Sequence, residues 1–173
     1  MPAMRRGRVV IEGVHAHALV WSGDMILAEI LLAIDSMICD NVSLKGSVQI
    51  GDGSVIQPLC SFVAEDDVSI TVGERNIVEE KCLILNSSLG HGNLIEVGTC
   101  IRNSQLGSFT RVGPNCIIES NSKIGDYCVI GPSVHLVAAT IPDKTAVFRS
   151  GDGWSSSPVE LNTVVSDFML LAL

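Results

Sequence analysis

Residues 106–137 read LGSFTR VGPNCI IESNSK IGDYCV IGPSVH LV, and the blocks repeat every six residues. Each block opens on an aliphatic residue: Leu106, Val112, Ile118, Ile124, Ile130 and Leu136. Working toward the N-terminus, the same step starts at Ile38 and continues through Leu44, Ile50, Ile56 and Phe62. After an insertion from Val63 to Thr71 it resumes at Val72, Val78 and Ile84; a one-residue slip then starts Leu89, Ile95 and Ile101, and a second slip starts Leu106. All seventeen frame positions are aliphatic or Phe. A helix would space its apolar residues by three and four, so a sustained period of six is not helical. Six is even, and it suits strands, whose side chains alternate between two faces.

The second position of the repeat is often Gly, at 51, 73, 90, 107, 113, 125 and 131. The fifth is generally small: Val42, Val48, Ser54, Cys60, Cys82, Ser88, Thr99, Thr110, Cys116, Ser122, Cys128 and Val134, interrupted by Asn76, Asn93 and Gln105. Short strands with Gly where the chain bends or is closely approached make a coil that stacks on its neighbours and buries its frame residues between them. The pattern [LIV]-[GAED]-x-x-[STAV]-x resembles that of hexapeptide-repeat, left-handed parallel β-helix proteins. The resemblance implies three hexapeptides per triangular coil and the left hand; the spacing alone gives an all-β solenoid.

A chain of 173 residues suits one domain, and 47% hydrophobic content excludes disorder. With only 4% aromatic residues, the core must be aliphatic. A net charge of −8, with one basic cluster at Arg5, Arg6 and Arg8, argues against nucleic acid as the main partner. The most apolar run, Met25 to Ile34, contains Glu29 and falls short of the roughly 20 residues of a membrane span. Polar Glu12, His15, His17 and Asp24 follow the basic cluster where a signal peptide would be apolar. The six Cys never form CxxC, so a reduced, cytoplasmic chain is expected, with Cys60, Cys82, Cys116 and Cys128 as small packing residues.

The expected organisation is an N-terminal extension over 1–37, a β-helix over 38–148, a linker over 149–158 and a C-terminal α-helix over 159–173 packing on the solenoid. In the extension, Ile11 to Ala16 suit a partial first coil, and Asp24 suits the cap of a short helix through Ile34. Pro142 is expected to stop the last coil. Ser150 to Pro158 is turn-rich by composition, and Leu161, Val164, Val165, Phe168 and Met169 follow helical spacing.

Catalytic chemistry finds little support in the residues. A trimeric carbonic anhydrase-like enzyme needs three His on one Zn²⁺. Here His15 and His17 precede the repeat, while His91 is third in its block and His135 sixth, so they are not expected to converge. An acyltransferase needs a His base, and neither His91 nor His135 has an obvious orienting carboxylate in the sequence. No catalytic residue, metal ligand or cofactor is therefore assigned. Glu79, Glu96 and Glu119 recur in N-x-I/V-E-like echoes, GERNIVE, GHGNLIE and GPNCIIE, and follow a frame aliphatic. They are expected to point outward as an acidic strip for a basic partner, while Asn76 and Asn93 are expected to stack at coil corners.

Three segments, VGERNIVEEKCLIL (72–85), LGHGNLIEVG (89–98) and VGPNCIIESNSKIG (112–125), resemble the dynactin subunit 6 family, as do IPDKTAV (141–147) and the SDFM of 166–169. That resemblance implies a non-catalytic subunit of dynactin, at the pointed end of the actin-related filament. Its neighbours would be a second β-helix subunit, the pointed-end actin-related protein and the zinc-binding subunit, with dynein reached indirectly. It implies a cytoplasmic, cytoskeleton-associated protein in microtubule-based transport, without nucleic acid or membrane insertion. Candidate partner contacts are Glu79, Glu80, Glu96, Glu119, Asp167 and Phe168. The chain departs from the family in residues 1–37 and in a short Asn86–Leu89 loop. The other class open to the fold is a divergent trimeric enzyme.

Overall fold

The computed structural model describes residues 16–19, 29–32, 35–39, 41–151 and 153–158. Its strands are β1 (Ala16–Leu19), β2 (Glu29–Leu32), β3 (Met37–Ile38), β4 (Ser43–Lys45), β5 (Ser47–Ile50), β6 (Val55–Ile56), β7 (Ser61–Val63) and β8 (Ser69–Val72). They continue with β9 (Ile77–Val78), β10 (Leu83–Leu85), β11 (Ser88–Leu89), β12 (Leu94–Ile95), β13 (Cys100–Arg102), β14 (Gln105–Leu106) and β15 (Arg111–Val112). The last are β16 (Ile117–Glu119), β17 (Lys123–Ile124), β18 (Val129–Ile130), β19 (His135–Val137), β20 (Thr140–Ile141), β21 (Thr145–Ser150) and β22 (Gly153–Pro158).

From β2 to β21 every third strand stacks in parallel, so the chain winds as a three-sided left-handed β-helix, with β1 and β22 added antiparallel at its two ends. Face A holds β1, β2, β5, β8, β11, β14, β17 and β20; face B holds β3, β6, β9, β12, β15, β18, β21 and β22; face C holds β4, β7, β10, β13, β16 and β19. Frame residues lie in register from coil to coil, as in Val78, Ile95, Val112 and Ile130 on face B. From Ile50 to Leu136 every frame residue is buried, and Ile38 and Leu44 are half-buried against the same core. Ile141 and Val147 continue the buried frame beyond the repeat read from the sequence.

The small positions form three ladders inside the corners. Between faces A and B, the first edge, Ser54, Asn76, Asn93 and Thr110 stack, each accepting the backbone N–H of the next rung: Asn76 N to Ser54 Oγ, Asn93 N to Asn76 Oδ1, Thr110 N to Asn93 Oδ1 and Cys128 N to Thr110 Oγ1. Asn76 Nδ2 also donates to Gly73 O and Gly90 O, while Asn93 Nδ2 is buried without a partner. On the second edge, between B and C, the inward residues are Cys60, Cys82, Thr99 and Cys116, all buried, and the thiols are free. The paired Asn thus stack at the corners as expected, on the inside, and the left-handed backbone there belongs to their neighbours Arg75 and Gly92.

The two slips in the repeat fall on one corner. Frame spacing stays at six across the first and second edges, whereas across the third edge, from C to A, it is six at Leu44–Ile50, ten at Phe62–Val72, five at Ile84–Leu89 and Ile101–Leu106, six at Ile118–Ile124 and five at Leu136–Ile141. The five-residue corners turn on one left-handed residue, Asn86, Asn103 or Ala138, and the six-residue corner at Ile118 uses two, Ser120 and Asn121. Consequently the inward residues here are Ser87 and Ser104, both buried, and not the expected Ser88 and Gln105, which face outward. The inward place is always two residues before the next frame residue, and this equals the fifth position only when the spacing is six.

Four further expectations need correction. The short helix from Asp24 to Ile34 is contradicted by β2, which pairs in parallel with β5 and so begins the stack before residue 38. The 149–158 linker is instead part of a hairpin, with β22 antiparallel to β21 and Ser150 paired to Gly153. Its turn residues were read correctly as turn formers, but Gly151 in the left-handed conformation closes a hairpin and does not open a linker. Pro142 does not stop the coil, because β21 continues face B above β18. In the coils below, that position donates its N–H upward, as in Gly107 N to Ile124 O and Gly125 N to Ile141 O. Among the described residues face A ends at β20, so no described strand above needs the N–H that Pro142 lacks. Finally, the expected acidic strip of Glu79, Glu96 and Glu119 is broken, because Gly73 and Gly90 of the first two echoes follow face A whereas Gly113 of GPNCIIE follows face B. The C-terminal helix over 159–173 and the partial coil over Ile11–His15 lie outside the described residues.

Candidate functional site

Outward side chains give the three faces different chemistry. Face A carries a polar row, Gln49, Thr71, Ser88, Gln105, Lys123 and Thr140. Face B carries Met37, Val55, Ile77, Leu94, Arg111, Val129 and Ala146, apolar except for Arg111. Face C mixes Val63, Leu85, Ile117 and Val137 with a charged group formed by Arg102, Glu119 and His135. Ile117 and Val137 are exposed there, as are Leu59, Phe109, Phe148 and Trp154 elsewhere.

The expected glutamates separate into two places. Glu79, Glu80 and Glu96 lie at the second edge, on successive coils. Glu79 Oε2 accepts the backbone N–H of Val97 at 3.1 Å, and Glu96 Oε1 accepts from Arg111 Nε. Gln57, with its amide turned to donate, meets Glu80 Oε1 at 3.0 Å. Glu119 lies on face C, where its Oε1 is 2.8 Å from His135 Nε2 and its Oε2 is 3.8 Å from Arg102 Nη1. The carboxylates therefore do not form one strip, and each already has an internal partner. Asp167 and Phe168 lie outside the described residues.

The histidines are separated by the same topology. His91 sits at the first edge, where its Nδ1 accepts Glu74 N at 3.0 Å. His135 sits on face C and does have a carboxylate, Glu119, contrary to the reading from sequence: residues sixteen apart become diagonal neighbours on stacked strands. Among the described residues no three His, Cys, Asp or Glu come together in a way that could hold a metal ion. Burial pushes the Cys100, Cys116 and Cys128 thiols above their usual range. Cys82 is raised as well, first by its hydrogen bond to the Cys60 thiol and then by burial. These thiols stay protonated at neutral pH and behave as packing groups.

Sequence reasoning missed a groove of about 340 Å³ on the third edge. It is lined by Val68, Asn86, Asn103, Gln105, Asn121 and Lys123, among others. It lies where two five-residue corners sit between the insertion below and the six-residue corner above. The slips in the repeat were the available signal, but only stacking shows that they share an edge. Also unforeseen is the stack of Phe109 on Tyr127, centroids 5.2 Å apart, at left-handed positions of the first edge.

Residues 103–138 match the family described as bacterial transferase hexapeptide (six repeats). Dynactin subunit 6 of Nematostella vectensis is 28% identical over 136 residues, 65% of this chain and 70% of that one. Dynactin subunit 6 of Dictyostelium discoideum is 36% identical over 102 residues, 56% and 54% of the two chains. The bifunctional protein GlmU of Clostridium botulinum is 31% identical over 109 residues, 63% of this chain but 23% of that one. Among solved structures, a hexapeptide transferase family protein from Anaplasma phagocytophilum superposes with a TM-score of 0.73 at 14% identity, covering 84% of this chain and 95% of that one. A UDP-N-acetylglucosamine acyltransferase gives 0.56 at 15% identity, covering 83% and 71%. These two likenesses show the fold. With three parallel faces, an aliphatic frame and a hexapeptide match, the chain is a hexapeptide-repeat protein of the left-handed β-helix class, related in sequence to dynactin subunit 6.

Proposed function

We propose that this chain is a non-catalytic structural subunit of a dynactin assembly, placed in the pointed-end subcomplex beside a second β-helix subunit. There it supports attachment of cargo to dynein and dynactin, and hence transport along microtubules in the cytoplasm. The observation that carries this reading is the match to dynactin subunit 6 along most of the solenoid, 70% of the Nematostella vectensis chain. The faces suit the role: a rigid prism displays rows of side chains about 4.8 Å apart, and fixed spacing favours flat, specific docking over catalysis in a cleft. The partners are the second β-helix subunit, the pointed-end actin-related protein and the zinc-binding subunit. Purifying the tagged chain from cells and identifying what accompanies it tests the proposal. Co-purification of the pointed-end subunits supports it; a chain recovered free of them overturns it.

A second reading, a divergent trimeric acyltransferase, is favoured by the GlmU match and by the His135–Glu119 pair at 2.8 Å. A carboxylate beside an imidazole is the arrangement that orients a general base. An acetyl-transfer assay that stays positive in the wild type and is lost in His135→Gln would favour the enzyme over the scaffold.

A further inference from the structure

The hairpin at the end of the described chain has an edge that nothing among the described residues pairs with. Strand β22 ends the order of face B and, among the described strands, pairs with β21 alone. All six of its residues are exposed, Trp154 included, at 40%. Which of its backbone groups face outward follows from the register. Val147 O accepts the N–H of Gly131 at 2.8 Å, so the backbone of Val147 faces β18 and those of Ala146, Phe148 and Ser150 face β22. Those three are paired with Ser157, Ser155 and Gly153. The N–H and C=O groups of Trp154 and Ser156 therefore point away from the sheet, and the next residue of that set, Pro158, has no N–H to offer.

Exposed edges are normally blunted by lysine, by inward charges, by bulges or by a covering element. Strand β22, GWSSSP, has no lysine, inward charge or bulge along its length, no described residue covers it, and only the terminal Pro158 limits it. It is also self-complementary. In an antiparallel pairing with a second β22 about Ser155, Trp154 lies opposite Ser156 of the second copy and Ser156 opposite its Trp154. Both residues then use both outward groups, giving four hydrogen bonds. A pairing shifted to centre on Ser156 would set Trp154 against Pro158 and leave the Trp154 carbonyl without a donor. The chain's −8 charge does not oppose the contact locally, because β22 has no ionisable side chain and Arg149, opposite Trp154, is the one charge on β21.

We propose that two copies of this chain associate through the free edge of β22, joining their B faces into one continuous antiparallel sheet with Ser155 opposite Ser155 of the second copy. Residues opposed in a non-hydrogen-bonded antiparallel pair have Cα atoms about 4.5 Å apart, within disulfide range, whereas the diagonal neighbours are about 7–8 Å apart. The full-length chain should sediment as a monomer–dimer equilibrium that shifts with concentration. Under mild oxidation Ser155→Cys should give a covalent dimer, beyond any formed by the wild type, and Ser156→Cys should not. Ser156→Pro removes an outward N–H but no hydrogen bond to β21, so it should weaken dimerisation at least tenfold with unchanged thermal melting. If that variant misfolds, Ser156→Lys takes its place, with the same weakening expected. A wild type that stays monomeric at all concentrations overturns the proposal. So does a dimer that survives these substitutions, or one that cross-links at 156 and not at 155.

Discussion

The first and third edges of the prism are built from the same hexapeptide and solve the corner differently. On the first edge every coil spans six residues, and glycines stack so closely that a Cβ on Gly73 would lie 2.5 Å from Gly90 O and one on Gly90 2.6 Å from Gly107 O. The Asn76–Asn93 ladder fills the inside of that corner. On the third edge spacing varies from five to ten residues, the inward row holds Ser87, Ser104 and Ser122 between apolar Val48 and Ile70 below and Ala139 above, and the outer surface is a polar groove. The difference teaches that backbone packed on backbone locks the length of a corner, while a corner that turns on one left-handed residue with solvent outside absorbs insertions and deletions.

The largest effect should come from adding a residue to each edge. One alanine inserted between Gly92 and Asn93 shifts every following side chain to the opposite face unless the corner absorbs it, and the glycine stack leaves no room. Cooperative unfolding should be lost there. One glycine inserted between Asn86 and Ser87 merely restores a six-residue corner and should cost less than about 1 kcal/mol in urea melts. Equal sensitivity at the two sites would break the comparison.

Deleting one rung of each ladder should give a smaller contrast. Asn76→Ala removes donors to the part-buried Gly73 O and Gly90 O and the buried acceptor for Asn93 N, and should destabilise by about 3 kcal/mol. Ser104→Ala removes one hydroxyl bond, to Arg102 O at 2.7 Å, and should cost about 1 kcal/mol. Denaturant midpoints at constant slope measure both. Gly90→Ala, forced against the Gly107 backbone, should fall between them at about 2 kcal/mol.

The second edge offers a substitution of opposite sign. Leu59 is 54% exposed and has φ +66°, a conformation that Asn115 adopts at the same place three coils above. Leu59→Asn should stabilise by up to about 1 kcal/mol by relieving left-handed strain. The smallest effect concerns pH. Burial raises the Cys116 thiol above its ordinary 9.0, so the unfolded chain loses that proton first. Its contribution is complete below pH 9.0 and declines above it, so between about pH 8 and about pH 10 the melting temperature of the wild type should fall further than that of Cys116→Ser. Parallel curves would remove the thiol from the account.

Much of this fold was legible because a fixed period is a local signal repeated many times. The aliphatic frame from Ile38 to Leu136 and the packing role of Cys60, Cys82, Cys116 and Cys128 needed only counting. The β22 strand was missed because Gly, Ser and Pro describe a turn and an edge strand equally well when no partner is visible. The His135–Glu119 pair was missed for a related reason. Which outward residues become neighbours depends on how many residues each coil consumes, and at the third edge that number changes.

The sequence by itself determined that this protein is a β-solenoid with its aliphatic frame inside, since alternation and a period of six leave one arrangement that buries the aliphatics. Tertiary structure alone decided which corner takes up the slips, that Glu119 stands apart from Glu79 and Glu96, and that β22 ends face B with an edge no described residue pairs with. Those outcomes depend on the stacking of one coil on the next, a contact between residues about seventeen apart, and a local pattern carries no record of it.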